Sequence, residues 1–258
     1  SSDLLNRFLR YGTREFGLRL AQFDGGNLRN AIPREAFAIF GVSAGCVKPM
    51  LERFETYKAE ITAEFQMTEP SLEVTLAEEP APAQVVDEVT QRRLVNAVCG
   101  VPNGVLAMSS AMPGLVETST NLASVKFPEP GRIVVTTSQR SSVGSARDEA
   151  AASVRAVFDL AGARVIHSDG YPGWNPNPDS RLLKVAEQTY ERLFGHAPKV
   201  RAIHAGLECG LFLEKYPHLE MVSFGPTLRG VHSPDERLEI PTVDKFWKLL
   251  VGVVDALR

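Results

Sequence analysis

Phe16-Gly-Leu-Arg-Leu-Ala-Gln-Phe-Asp-Gly-Gly-Asn-Leu-Arg-Asn-Ala-Ile-Pro-Arg-Glu-Ala-Phe-Ala-Ile-Phe40 contains two extended runs, Phe16 to Phe23 and Ala31 to Phe40. Gly25-Gly26 separates them and supplies the conformational freedom a turn needs, so the pair reads as hairpin-like. Upstream, Ser2 followed by Asp3 reads as the cap of a helix running through about Tyr11. Downstream, Ser43 reads as the cap of a long helix reaching about Phe65. Leu72, Val74 and Leu76 then alternate as a half-buried strand does. The order is αββαβ.

That order recurs. A helix is expected over Gln84 to Val98, strands over Val116 to Val125 and Arg132 to Thr137, a helix over Ser145 to Leu160 and a strand over Ala163 to Ile166. The uncharged run Leu94 to Val116 is long enough to span a bilayer, but Pro102, Asn103 and Pro113 would strand polar groups in lipid, so it reads as a helix end plus loop. Gly170-Tyr-Pro-Gly-Trp-Asn-Pro-Asn-Pro178 has three prolines in seven positions and marks a boundary. Beyond it, Asp179 reads as the cap of a helix to Leu193. Strands at Val200 to Ile203 and Met221 to Phe224 and a helix at Leu207 to Leu213 continue the layering. A final amphipathic helix from Thr242 carries Phe246, Trp247, Leu249, Leu250, Val253 and Val254. Two strands are too few to cover these helices on both faces, so residues 179–258 read as the end of a larger sheet. The expected fold class is α/β, with two αββαβ-like units over residues 1–170 and an α/β segment over 171–258.

At 258 residues with 44% hydrophobic content the chain can bury a sizeable core. Lys+Arg 28 against Asp+Glu 31 leaves no basic surplus for phosphates or anionic lipid, so neither nucleic acid nor membrane is an expected partner. Ser1 to Arg7 shows no apolar signal core, and no Asn-x-Ser/Thr sequon occurs, which points to the cytoplasm. Cys46, Cys99 and Cys209 lie far apart and read as reduced core residues rather than a disulfide or thiolate metal framework.

Several positions are candidates for chemistry, each with a plainer alternative. Gly41-Val-Ser-Ala-Gly45 matches the Gly-x-Ser-x-Gly elbow of a serine hydrolase, with Asp169 or Asp179 and His204 or His232 in the right chain order; Ser43 otherwise serves as a helix cap. Asn30, at the mouth of a strand, can donate an uncharged N–H to a developing oxyanion, or can satisfy its own turn. Arg140 ends the β-branched run Val134-Val-Thr-Thr-Ser-Gln-Arg-Ser-Ser142, where it can clamp a carboxylate or rest in solvent. Ile203-His-Ala-Gly-Leu-Glu-Cys-Gly210 and Phe224-Gly-Pro-Thr-Leu-Arg-Gly-Val-His-Ser-Pro-Asp-Glu236 each run from a strand into a glycine-rich loop, the place where open α/β sheets bind ligands. His232 and His204 can face such a crevice or be structural. Glu208 can orient a ligand or face solvent. His167, His196 and His218 read as loop or surface residues.

Together these stretches resemble the M20 metallopeptidase family, and within it the cytosolic aminoacyl-histidine dipeptidase (Xaa-His dipeptidase, peptidase D) branch. Asn27-Leu-Arg-Asn-Ala-Ile-Pro-Arg-Glu-Ala36 is similar to the signature of that family's lid domain. Ser109-Ser-Ala-Met-Pro-Gly-Leu-Val-Glu-Thr-Ser-Thr-Asn-Leu-Ala123 and Ser138-Gln-Arg-Ser-Ser142 resemble the branch. His204-Ala-Gly-Leu-Glu-Cys-Gly210 and His232-Ser-Pro-Asp-Glu236 resemble the returning catalytic segment. The resemblance implies a lid over 1–170 followed by the C-terminal part of a zinc-exopeptidase catalytic domain over 171–258. It implies a dipeptide substrate of the Xaa-His type and two zinc ions per active site, of which His232 holds one. Asn30 and Arg140 then bind substrate, and Glu208 and His204 lie near it. In such enzymes the His-x-Asp ligand pair and the paired glutamates precede the lid, and no such segment precedes it here, since His167-Ser-Asp169 and Glu78-Glu79 both lie within the lid range, so the chain is expected to lack the N-terminal catalytic part and to be inactive alone. Lid edges of such enzymes often pair two subunits; a homodimer through the lid, or a non-catalytic dimerisation module, stays open at this point.

Overall fold

The computed structural model describes residues 1–110, 114–168, 170, 177, 179–201, 208–231 and 235–258. Its elements run α1 (Ser2–Glu15), β1 (Arg19–Gly25), β2 (Ala36–Gly41), a 3-10 turn (Ala44–Cys46), α2 (Val47–Phe65), α3 (Glu88–Gly100), β3 (Gly104–Met108), β4 (Val116–Glu129), β5 (Arg132–Ser141) and α4 (Gly144–Leu160). They continue with α5 (Arg181–Phe194), α6 (Glu208–Lys215), β6 (Leu228–Arg229), β7 (Arg237–Leu238) and α7 (Pro241–Ala256). Two compact units result, one of Ser1–Leu106, Ser119–Gln139 and Asp148–His167, the other of Ala107–Thr118, Arg140–Arg147 and Ser168–Arg258. The architecture is mixed α/β, and its main sheet contains antiparallel pairs.

In the first unit β1 and β2 pair antiparallel with a bulge between Leu20 and Gln22. The sheet order is β2-β1-β4-β3, with β5 on β4, and β1 meets β4 at Gly25 and Val125. Apolar residues at three- and four-residue spacing put Phe8 and Leu9 of α1 into the core with Leu18, Leu20 and Phe23 of the β1 region, Phe54 and Ile61 of α2, and Val95 and Val98 of α3. Gly12 allows α1 to approach this core, because a Cβ there would sit 2.7 Å from Leu18 Cδ1. One buried side chain locks three elements together. Gln91 of α3 accepts from Leu20 N at 2.7 Å and donates to Leu18 O at 2.6 Å and Thr13 Oγ1 at 2.9 Å, so its burial leaves neither end of the amide unpaired.

Several expectations need correction. The first helix extends to Glu15 with Ser1 at its N-cap position, so Ser2 does not cap it. Ser43 precedes the 3-10 turn and makes no side-chain capping bond. Leu72, Val74 and Leu76 do alternate and pack on the core, but they join no ladder, and neither do Ala163 to Ile166 or Met221 to Phe224. The run from Leu94 does begin as a helix end, through Gly100, but a strand, β3, occupies part of the expected loop. The recurring order is therefore αββα followed by αβββα, rather than two αββαβ units. All three cysteines are free, yet Cys99 is exposed and the other two are only half-buried, so they are not core residues.

In the second unit α5 and α7 pack through Ala186, Leu249 and Val253, with Val222 and Phe224 against them. Ser180, not Asp179, caps α5 by accepting from Leu183 N at 3.3 Å, and Gly195 closes its other end with φ 77°. Lys245 of α7 lies over the Tyr190 and Phe194 rings of α5, each 4.7 Å from the centroid, and donates to Tyr190 Oη at 2.6 Å. No helix among the described residues is long and apolar enough to cross a membrane.

Candidate active site

The loop between β1 and β2 carries Asn30 and is pressed onto β4. Gly26 has φ +67°, and a Cβ there would come within 2.0 Å of the Ala123 carbonyl oxygen, so only glycine lets the two backbones meet. Lys126 Nζ donates to Asp24 Oδ1 at 2.6 Å and to Asn27 Oδ1 at 2.9 Å, which fixes the start of the loop. Further on, Asn121 Nδ2 donates to Ala31 O at 2.8 Å and more weakly to Arg29 O at 3.3 Å. Ala31 N reaches Leu28 O at 3.4 Å, so backbone and Asn121 together close the turn. Asn30 sits in that turn, exposed, and its own carboxamide makes no hydrogen bond among the described residues.

Arg140 lies in the second unit, one residue before the end of β5, and is half-buried. Hydroxyls hold the chain beside it. Ser141 Oγ and Thr118 Oγ1 are 2.8 Å apart, Val143 N donates to Ser141 Oγ at 3.0 Å, and Ser142 N donates to Glu117 O at 3.1 Å. The guanidinium itself has no carboxylate partner among the described residues. A strand end fastened in this way, with an uncommitted arginine, is suited to a bidentate carboxylate ligand.

Glu208 begins α6, and its side chain, like all of His204 and His232, lies outside the described residues. Asp169 lies outside them too. Ser43 is exposed, with φ −63° and ψ 150°, an extended conformation leading into a 3-10 turn rather than the strained strand-to-helix elbow of an activated serine. His167, His196 and His218 are exposed. Among the described residues no group of three or more His, Cys, Asp or Glu side chains is placed to hold a metal ion. Those residues therefore do not fit a zinc centre by themselves, since a catalytic zinc takes about three protein ligands. Sequence reasoning missed Asn121 and Lys126. Both lie on β4, and no spacing pattern links them to a loop about a hundred residues earlier.

Residues 28–256 match peptidase family M20/M25/M40, and the chain belongs to that family. It is 40% identical over 257 residues to the cytosol non-specific dipeptidase of Escherichia coli (strain K12), covering 98% of this chain and 52% of that protein. Its fold is similar to the crystal structure of aminoacylhistidine dipeptidase from Vibrio alginolyticus, with a TM-score of 0.86 and 40% identity, covering 99% of this chain and 52% of that one. The chain thus spans about half the length of the relatives it matches.

Proposed function

We propose that this chain supplies the lid, residues 1–170, and the C-terminal part of the catalytic domain, residues 171–258, of a cytosolic metal-dependent dipeptidase acting on Xaa-His and similar dipeptides. The observation that carries the proposal is the end-to-end similarity to two dipeptidases at 40% identity. Asn30, with its amide uncommitted on a clamped turn, donates to the scissile carbonyl oxygen as charge develops there. Arg140 pairs with the terminal carboxylate of the dipeptide. His232 contributes one zinc ligand as a neutral imidazole, and Glu208 and His204 belong to the same neighbourhood. One ligand does not hold a catalytic ion, so the chain alone has no peptidase activity. The lid also pairs two copies of the whole protein into a homodimer.

Steady-state hydrolysis of Ala-His by the full-length gene product tests this reading. Activity should vanish with a chelator and return with zinc. Asn30→Ala should lower kcat by on the order of 100-fold, as loss of an oxyanion donor does. Arg140→Ala should chiefly raise KM. Activity that survives chelation but is lost in Ser43→Ala would instead establish the serine hydrolase.

A further inference from the structure

The geometry points to Asn121 as the residue that positions Asn30, an assignment that rests on the reading of Asn30 as a carbonyl-oxygen donor. A carboxamide NH2 has two protons to donate. Asn121 directs both to peptide carbonyls on either side of one residue, Arg29 O at 3.3 Å and Ala31 O at 2.8 Å. The bracketed residue is Asn30.

Apolar burial does little to hold this turn. Leu28 is 50% exposed and Ile32 80% exposed, and Asn27, Arg29 and Asn30 also face solvent. The Lys126 contacts and the Gly26 approach fix the loop only as far as Asn27. From Leu28 to Ala31 the tie to the sheet among the described residues is the Asn121 amide, carried on β4, whose next residue, Leu122, is buried and donates its N–H to Asn103 Oδ1 at 2.8 Å, and the loop is held again only at Pro33, whose carbonyl accepts from Ser1 Oγ at 2.9 Å. The clamp uses the backbone on both sides of Asn30 and leaves the Asn30 side chain free. A donor that must meet an oxygen whose charge develops only in the transition state gains from such preorganisation, because displacement by about 1 Å can cost on the order of 100-fold in rate.

The test is a double-mutant cycle in the full-length enzyme with a dipeptide substrate. Asn121→Asp keeps the shape but removes both donors and sets a carboxylate against two carbonyl oxygens. It should lower kcat by about tenfold or more with KM little changed. Asn121→Gln, which keeps the NH2 group on a longer arm, should recover part of the loss. In the Asn30→Ala background Asn121→Asp should have no further effect, because its influence passes through Asn30. Thermal melting of each variant separates positioning from folding. Losses in kcat that add between positions 30 and 121, no loss in Asn121→Asp, or losses that simply track the melting temperature overturn the positioning role while leaving Asn30 in place. An Asn30→Ala enzyme with unchanged kcat overturns the reading of Asn30, and this inference with it.

Discussion

The two units bury their apolar residues very differently. In the first, buried side chains from four helices and two strands, β1 and β4, meet in one cluster, and Leu9, Leu20, Phe23 and Val125 lose all contact with solvent. In the second, only Ala186, Leu249 and Val253 are buried apolar residues among those described, and α7 presents Val243, Trp247, Val251 and Val254 to solvent on a second face. A helix apolar around most of its circumference is built for burial on more than one side. The first unit carries a core sufficient for its own helices. The second has the helices of an α/β layer and, among the described residues, only two strands wholly its own, of two residues each, beside the ends of β3, β4 and β5.

The comparison can be broken by truncations of equal kind in the two units. Phe23→Ala should destabilise the first unit by about 3–5 kcal/mol, since it removes a fully buried ring from the centre of the cluster. Urea unfolding followed by far-ultraviolet circular dichroism measures it. Leu249→Ala should cost about 2 kcal/mol, at the low end for such a change, because α7 is packed on one side. Trp247 of α7 lies in the second unit, so its fluorescence should move with Leu249→Ala and stay put with Phe23→Ala. Equal losses for the two variants, or one shared transition for both probes, would end the distinction.

Smaller changes sharpen it. Ser180→Ala removes the cap of α5 and should lower the second transition by about 1 kcal/mol. A pH series, read as the difference between the wild type and Tyr57→Phe, adds a probe of the first unit. Tyr57 Oη donates to Leu4 O, and burial raises its pKa from 10.0 to about 12. The phenol ionises more readily in the unfolded chain, so its contribution is complete below pH 10.0 and is lost as pH rises to about 12. Unfolding midpoints of the wild type should fall across that window, and those of Tyr57→Phe should fall less.

Periodicity in the sequence locates each helix of eight or more described residues to within a few positions, because three- and four-residue apolar spacing reports directly on a buried face. Strands were harder. Leu72, Val74 and Leu76 show the two-residue rhythm and half-burial of a strand, but a ladder needs a neighbour with free backbone groups, which alternation does not encode. β3 escaped for the opposite reason, since Val105, Leu106 and Met108 are exposed and carry no alternation to detect. At the candidate site, motif resemblance pointed to Asn30 and Arg140 individually. What supports them lay beyond reach, because Asn121, Lys126 and Thr118 act through pairings set by the folded sheet.

The tie between Asn121 and Ala31 spans 90 residues, so a ribosome working at roughly 5–20 residues per second delivers the turn about 5–20 s before the strand that fastens it. Until then the Arg29 and Ala31 carbonyl groups lack the donor that Asn121 supplies. The geometry around Asn30 is therefore acquired only after β4 has been made, and codon choice or pausing between positions 31 and 121 can change when it arrives but not what it becomes.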